Sequence, residues 1–230
     1  MSNAVKELVI FDCDGVLVDS EPLSISVLVE AMREAGVEID EEGAYERFLG
    51  KSLATMISTL ETEFNVFASQ EFLDRIRNDL YTRFRNELQP IPGISDTIDA
   101  LDMRRCVASS SQLERIRLSL GLTGLLDRLE PHIFSASMVK RGKPAPDLFL
   151  HAAREMGVSP ERCIVVEDSP AGIMAARAAG MTVFAFTGGS HASSAHYRAE
   201  LDRLSPEVVF DAMPDLIHLV RKYKTDGIQS

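Results

Sequence analysis

The chain has 230 residues, 45% of them hydrophobic and 26% charged. That suits one large domain, or a core with a small inserted module, and excludes a disordered, collagenous or coiled-coil protein. Lys and Arg number 24 against 35 Asp and Glu, a formal charge of −11, so a nucleic-acid partner is not expected, whereas a small anion remains compatible if a metal ion and a lysine reverse the field locally.

Six short apolar runs read as strands: Leu8–Phe11, Cys106–Ser109, Ile133–Ser135, Ile164–Glu167, Thr182–Phe186 and Val208–Phe210. They are continuous rather than alternating, as in strands buried on both faces of a parallel sheet. Helical spacing covers Ile94–Leu101, Leu113–Leu120, Pro146–Met156, Ala171–Ala179 and Leu216–Tyr223, and Gly157 and Gly180 stand where helices stop. Strand–helix alternation predicts a doubly wound, Rossmann-like α/β core.

One stretch breaks the alternation. From about residue 20 to 88 the pattern is helical throughout, with Leu23, Val27, Ala31 and Ala35 on one face, then Met56, Leu60 and Phe64, then Phe72, Ile76, Leu80 and Phe84. Pro90, Pro92 and Gly93 mark the return. The expected organisation is a core of residues 1–18 and 90–230 with an all-helical insertion at 19–89. Such an insertion lies at the carboxyl end of the sheet, where α/β proteins bind ligands.

Four strand ends carry chemistry. In Leu8-Val-Ile-Phe-Asp12-Cys-Asp14-Gly15 a strand runs into two aspartates that alternation can aim to one side. Two close carboxylates call for a hard divalent ion or a shared proton; a solvated acidic loop is the other reading. Ile164-Val-Val-Glu167-Asp168-Ser-Pro offers Asp168 as a further ligand or as a helix cap. Glu167 would point away or support from behind. In Lys140-Arg-Gly-Lys143-Pro-Ala-Pro, a stiff loop presents Lys143 to a phosphate or a buried carboxylate, or simply forms a basic turn. Val107-Ala-Ser109-Ser110-Ser111 ends in hydroxyls before a helix, an anion site or a serine cap.

Taken together, in this order and at these strand ends, the four segments resemble the haloacid dehalogenase-like hydrolase superfamily, and its β-phosphoglucomutase-like branch through Gly-Lys-Pro-x-Pro and Glu-Asp-Ser-x-x-Gly. The resemblance covers nearly the whole chain and implies a helical cap over the core. It implies Asp12 as a nucleophile that forms an aspartyl-phosphate, Asp14 as general acid and then base, and Ser109, Ser110 and Lys143 as phosphate holders. It further implies Mg²⁺ on Asp12, the Asp14 carbonyl and Asp168, with Glu167 supporting. For Asp14 the expectation is a carboxyl kept protonated near neutral pH by the charge of Asp12.

The branch contains phosphatases and mutases. Mutase-like positions for a histidine, a lysine and an arginine hold Ser24, Leu49 and Leu53 here, which favours hydrolysis of a small sugar or sugar-acid phosphate over mutase chemistry; a non-catalytic binding module is the third reading. Gly50 and Lys51 are expected either to touch substrate or to form an exposed helix junction. The loop His191–His196 reads either as an edge of the site or as a solvated loop, and Cys13, Cys106 and Cys163 as buried thiols. No apolar run reaches 18 residues and the N-terminus lacks a signal-peptide pattern, so no membrane partner and a cytoplasmic protein are expected, with a monomer compatible.

Overall fold

The computed structural model describes residues 5–48, 53–193 and 195–225. Its centre is a six-stranded sheet of β1 (Leu8–Phe11), β2 (Arg104–Ser109), β3 (Ile133–Ser135), β4 (Cys163–Glu167), β5 (Thr182–Phe186) and β6 (Val208–Phe210). The strands lie in the order β3-β2-β1-β4-β5-β6 and every neighbouring pair is parallel. The chain winds outward in both directions from β1, so the crevice where the winding reverses opens between β1 and β4. Phe11 pairs with Val166, and Asp12, the first residue past β1, stands beside Glu167, the last residue of β4.

The two faces divide the strand side chains by simple alternation. Val9 and Phe11 of β1 join one apolar layer, covered by α5 (Ile94–Ala100), α6 (Leu113–Leu122) and α11 (Leu216–Thr225). Leu8 and Ile10 join the other, covered by α8 (Asp147–Glu155), α9 (Pro170–Ala178) and α10 (Ala195–Leu204). All four β1 side chains are fully buried, each contributing about 1.5–3 kcal/mol of transfer free energy. This double burial is why the strand sequences show no polar alternation. A short α7 (Leu126–Leu129) precedes β3.

The expected strands are all present. β2 begins two residues earlier than its apolar pattern, because Leu8 pairs with Arg104 and carries the ladder into two arginines. α10 was not expected: Ala and charged residues hide its periodicity, and among the described residues its apolar contacts come from Tyr197 and Leu201, one turn apart and both buried, with Leu204 partly buried beside them.

Between β1 and α5 lie α1 (Glu21–Glu34), α2 (Glu41–Phe48), α3 (Leu53–Glu63) and α4 (Gln70–Glu87). Ile25, Leu28, Met32, Phe48 and Leu60 form a third apolar cluster belonging to these helices, while Val27 of α1 packs into the sheet layer. The two crossings to the sheet run together: Asp19 donates its N–H to the Gln89 carbonyl at 3.0 Å, and Val18 bridges to Pro90. Among the described residues no helix is long and apolar enough to cross a membrane.

Candidate functional site

The site is assembled from strand ends. Past β1 the chain turns sharply, with Leu17 donating its N–H to the Cys13 carbonyl and Gly15 donating to Val18. Gly15 has φ +77°, and a Cβ there would lie 2.0 Å from Asp168 Oδ2, so both conformation and space require glycine. The turn leaves Asp12 buried beside β4 and Asp14 on the side of β2 and α6.

Lys143 reaches the site from the loop before α8, four residues ahead of the helix. Its ammonium donates to Asp12 Oδ1 at 2.6 Å and to Glu167 Oε1 at 2.5 Å, with 3% of the side chain exposed. Glu167 is fully buried and turned into the site; its Oε2 accepts from the Ser169 N–H at 2.6 Å and the Ser169 hydroxyl at 3.0 Å. The α9 cap is Ser169, whose hydroxyl accepts from Gly172 N–H; Asp168 does not cap and is left for the site. Carboxylate oxygens of Asp12, Glu167 and Asp168 lie within 4.8 Å of one another.

Burial pushes the Asp12 carboxyl well up, opposed by Lys143 and reinforced by Glu167 and Asp168. Burial and then Glu167 likewise push Asp168 well up. Burial would lower the Lys143 ammonium, but Asp12 and Glu167 overcome it and raise it. Three buried carboxylates with one ammonium leave an excess of negative charge that an oxygen-coordinated hard cation relieves. The donor set is oxygen only, so these residues fit such an ion.

Asp14 behaves in the opposite way. Ser20 Oγ and the Arg115 guanidinium donate to Oδ1 at 2.6 and 2.8 Å, and Ser111 Oγ donates to Oδ2 at 2.6 Å. Burial would raise this carboxyl, but Arg115 and the two hydroxyls hold it below the ordinary value. The expected protonation by Asp12 is therefore overturned: Asp14 stands ionised because it has a cation and three hydrogen bonds of its own, and the raised carboxyl of the pair is Asp12.

Arg115 is a residue the sequence reading missed. Besides Asp14 it donates to Ser24 Oγ at 3.2 Å and lies 5.3 Å from the centre of the Phe84 ring, so it joins α6 to α1 and α4. A signal was present. Arg115 sits in the first turn of a helix that starts at a strand's carboxyl end, where the helix dipole disfavours a cation unless an anion faces it. Ser109 is buried and its hydroxyl accepts from Ser111 N–H at 3.1 Å, and Ser135 Oγ donates to the Ser111 carbonyl at 2.7 Å. No serine caps α6; the preceding residue is Gln112, without a side-chain cap. Ser110 is exposed and lines the cavity.

Tyr197 was also missed, and His191 was read only as part of a loop at the edge of the site or in solvent. His191 is buried, not solvated, with Nε2 2.9 Å from Asp168 Oδ2. Tyr197 donates its hydroxyl to the Asp168 backbone carbonyl. Their signal was position: they follow β5, the neighbour of the strand that ends in Asp168. The cysteines are buried and free, as expected. Leu49, Gly50 and Lys51 lie outside the described residues.

A cavity of about 560 Å³ opens above these groups, a size that holds a small metabolite. The strand ends supply Asp12, Asp14, Ser109 and Asp168 as its floor, with Lys143 from the loop before α8, and the helices between β1 and α5 supply Glu21, Ser24, Tyr45, Gln70 and Tyr81 among apolar walls. Burial pushes the Glu21 carboxyl up to about 7, with Asp14 adding to the effect.

A family model described as haloacid dehalogenase-like hydrolase matches residues 9–186. A 6-phosphogluconate phosphatase of Escherichia coli is 34% identical over 186 residues, 80% of this chain and 84% of that protein. A fructose-1-phosphate phosphatase of the same organism is 32% identical, over 75% of this chain and 92% of that protein. Among solved structures, a haloacid dehalogenase-like protein of Agrobacterium tumefaciens superposes with a TM-score of 0.83 at 39% identity, covering 94% of this chain and 98% of that one. A hydrolase of the family from Deinococcus radiodurans, with bound phosphate and sodium, superposes at 0.76 with 31% identity, covering 96% and 97%.

Proposed function

The chain belongs to the haloacid dehalogenase-like hydrolases and is a phosphatase among them, and from that premise we propose that it hydrolyses small sugar or sugar-acid phosphates, with Mg²⁺, through an aspartyl-phosphate on Asp12. The observation that carries this reading is the convergence, at the β1–β4 crevice, of the Asp12, Glu167 and Asp168 carboxylates, with one buried ammonium, Lys143, bound to the first two. We further read residues 19–89 as a cap on a core of 1–18 and 90–230. The paired crossings at 18–19 and 89–90 form a hinge about which a cap can close over the substrate and exclude water.

In this mechanism Lys143 and the Ser109 and Ser110 hydroxyls hold the phosphoryl oxygens. Asp12, aligned by Lys143, attacks phosphorus; the bond to the leaving alkoxide breaks, and Asp14 supplies the alkoxide with a proton. Arrival of a dianionic phosphate beside Asp14 favours the uptake of that proton beforehand. In the second half Asp14, again ionised, takes a proton from water; the water oxygen attacks phosphorus, the bond to Asp12 breaks and inorganic phosphate leaves. The ionised state held by Arg115, Ser20 and Ser111 is the form this half needs. Asp12, Asp168 and the Asp14 carbonyl would hold Mg²⁺, with Glu167 behind them, and the ion would supply charge neutralisation between carboxylate and phosphate.

Hydrolysis rather than mutase chemistry is supported by Ser24. Its hydroxyl donates to the Ser20 carbonyl at 3.0 Å and accepts from Arg115, so it organises the hinge and offers no cation to a second phosphate. The test is phosphate release across a panel of sugar and sugar-acid phosphates, with and without Mg²⁺. Release that depends on Mg²⁺ is expected. No release from any ester would overturn the reading, and interconversion of glucose-1-phosphate and glucose-6-phosphate without release would replace it with the mutase.

A further inference from the structure

We propose that His191 is a positioning residue of the metal site, holding the Asp168 carboxylate in the orientation that binds the ion; this rests on the Mg²⁺ reading above. The imidazole has no exposed side-chain surface, and its Nε2 stands 2.9 Å from Asp168 Oδ2. That approach is off the ring's N–H direction, and neither ring nitrogen has an aligned hydrogen-bond partner among the described residues. A buried ring with both nitrogens otherwise unspent, placed against one carboxylate oxygen, has one favourable use. With the proton on Nε2 the contact is a hydrogen bond after a small ring turn; with the proton on Nδ1 a lone pair faces the carboxylate and the contact is repulsive.

The surroundings keep that ring in place. Gly189 and Gly15 flank it, and a Cβ on them would approach His191 Cε1 to 2.7 and 2.8 Å. The Tyr197 ring meets the imidazole edge-on, 5.3 Å between centres at 80°, and the Tyr197 hydroxyl holds the Asp168 carbonyl. Before His191, the Ser190 N–H and hydroxyl both donate to Asp19 at the hinge, the former at 3.1 Å. The segment after β5 thus fixes both the backbone and one carboxylate oxygen of Asp168, leaving the other oxygen for an ion. A donor behind a ligating carboxylate typically changes metal affinity by about 10–100-fold.

The test compares wild type with His191→Leu, which removes the donor at similar volume, and His191→Gln, whose amide N–H reaches the same oxygen. Mg²⁺ affinity is measured by calorimetric titration of the substrate-free protein, alongside Tm without metal. The expected result is at least about tenfold weaker binding for the Leu variant and recovery to within about threefold for the Gln variant, even where both lower Tm alike. Equal affinity in all three, equal weakening in both variants, or no Mg²⁺ binding by wild type would overturn the proposal. A wild type that releases no phosphate yet binds Mg²⁺ tenfold more tightly than the Leu variant would overturn the phosphatase reading and support this one.

Discussion

Gly172 offers the sharpest test of how the helix after β4 shapes the site. It lies in the first turn of α9 with ordinary helical backbone, and in such a place alanine normally stabilises by about 1 kcal/mol. Here a Cβ would sit 1.8 Å from Glu167 Oε1 and 2.0 Å from its carboxyl carbon. The carboxylate occupies the space that the glycine leaves. Gly172→Ala must expel it, breaking the bonds from Lys143, Ser169 N–H and the Ser169 hydroxyl. Each such bond to a charged group is worth about 1.5–3 kcal/mol, and the expelled groups recover part of that in water. Set against the helix gain, the net expectation is a loss of about 3 kcal/mol, a Tm lower by about 6–12 °C for a chain of this size. Phosphate release should fall with it, because Lys143 loses one of the two carboxylates that aim it. The control is Gly121→Ala in α6, where the new Cβ would meet only Leu126 Cδ2 at 3.9 Å and Tm should hold or rise. The assays are thermal denaturation and phosphate release on both variants. If Gly172→Ala matched Gly121→Ala in Tm and turnover, the packing of Glu167 against α9 would be wrong.

Three further outcomes are expected. Asp12→Asn should reduce phosphate release to background, since an amide is no nucleophile, while Tm stays within a few degrees because Glu167 still pairs with Lys143; retained turnover would remove Asp12 from that role. Arg115→Gln should lower kcat by about 10–100-fold with a smaller change in KM, because Asp14 loses its cation and keeps only the Ser20 and Ser111 hydroxyls; unchanged kcat in steady-state phosphate release would refute the coupling. Burial raises the Glu21 carboxyl from 4.5 to about 7, so the folded chain keeps this proton to higher pH than the unfolded chain. The Glu21 contribution to wild-type stability therefore falls as pH rises from about 4.5 to 7 and levels off above, by up to about 3 kcal/mol. The stability advantage of Glu21→Gln over wild type should widen across that window in urea denaturation, and a gap constant from pH 5 to 8 would refute it.

Much of the chain was legible in one dimension because burial on both faces of a parallel sheet writes itself as unbroken apolar runs. Those runs end abruptly in Asp12, Ser109 and Glu167-Asp168, and the carboxyl edge of a parallel sheet gathers such ends whatever the details of packing. The helical insertion was legible for the same reason: its apolar residues recur at helical spacing, with turn residues at its return.

What the sequence could not decide was the pairing of charges across the site. Asp12 and Asp14 look equivalent in the chain, yet burial with two further carboxylates raises one while Arg115, Ser20 and Ser111 lower the other. The order follows from partners 97 and 101 residues away, a separation no local pattern encodes. Glu167 turns inward because Gly172 leaves room for it, and His191 is buried because Gly15 and Gly189 do the same. Alternation and helical spacing tell which face a residue is on. Which charge it meets there depends on three-dimensional distance, and the direction of a carboxyl's shift depends on whether that neighbour is an anion or a cation.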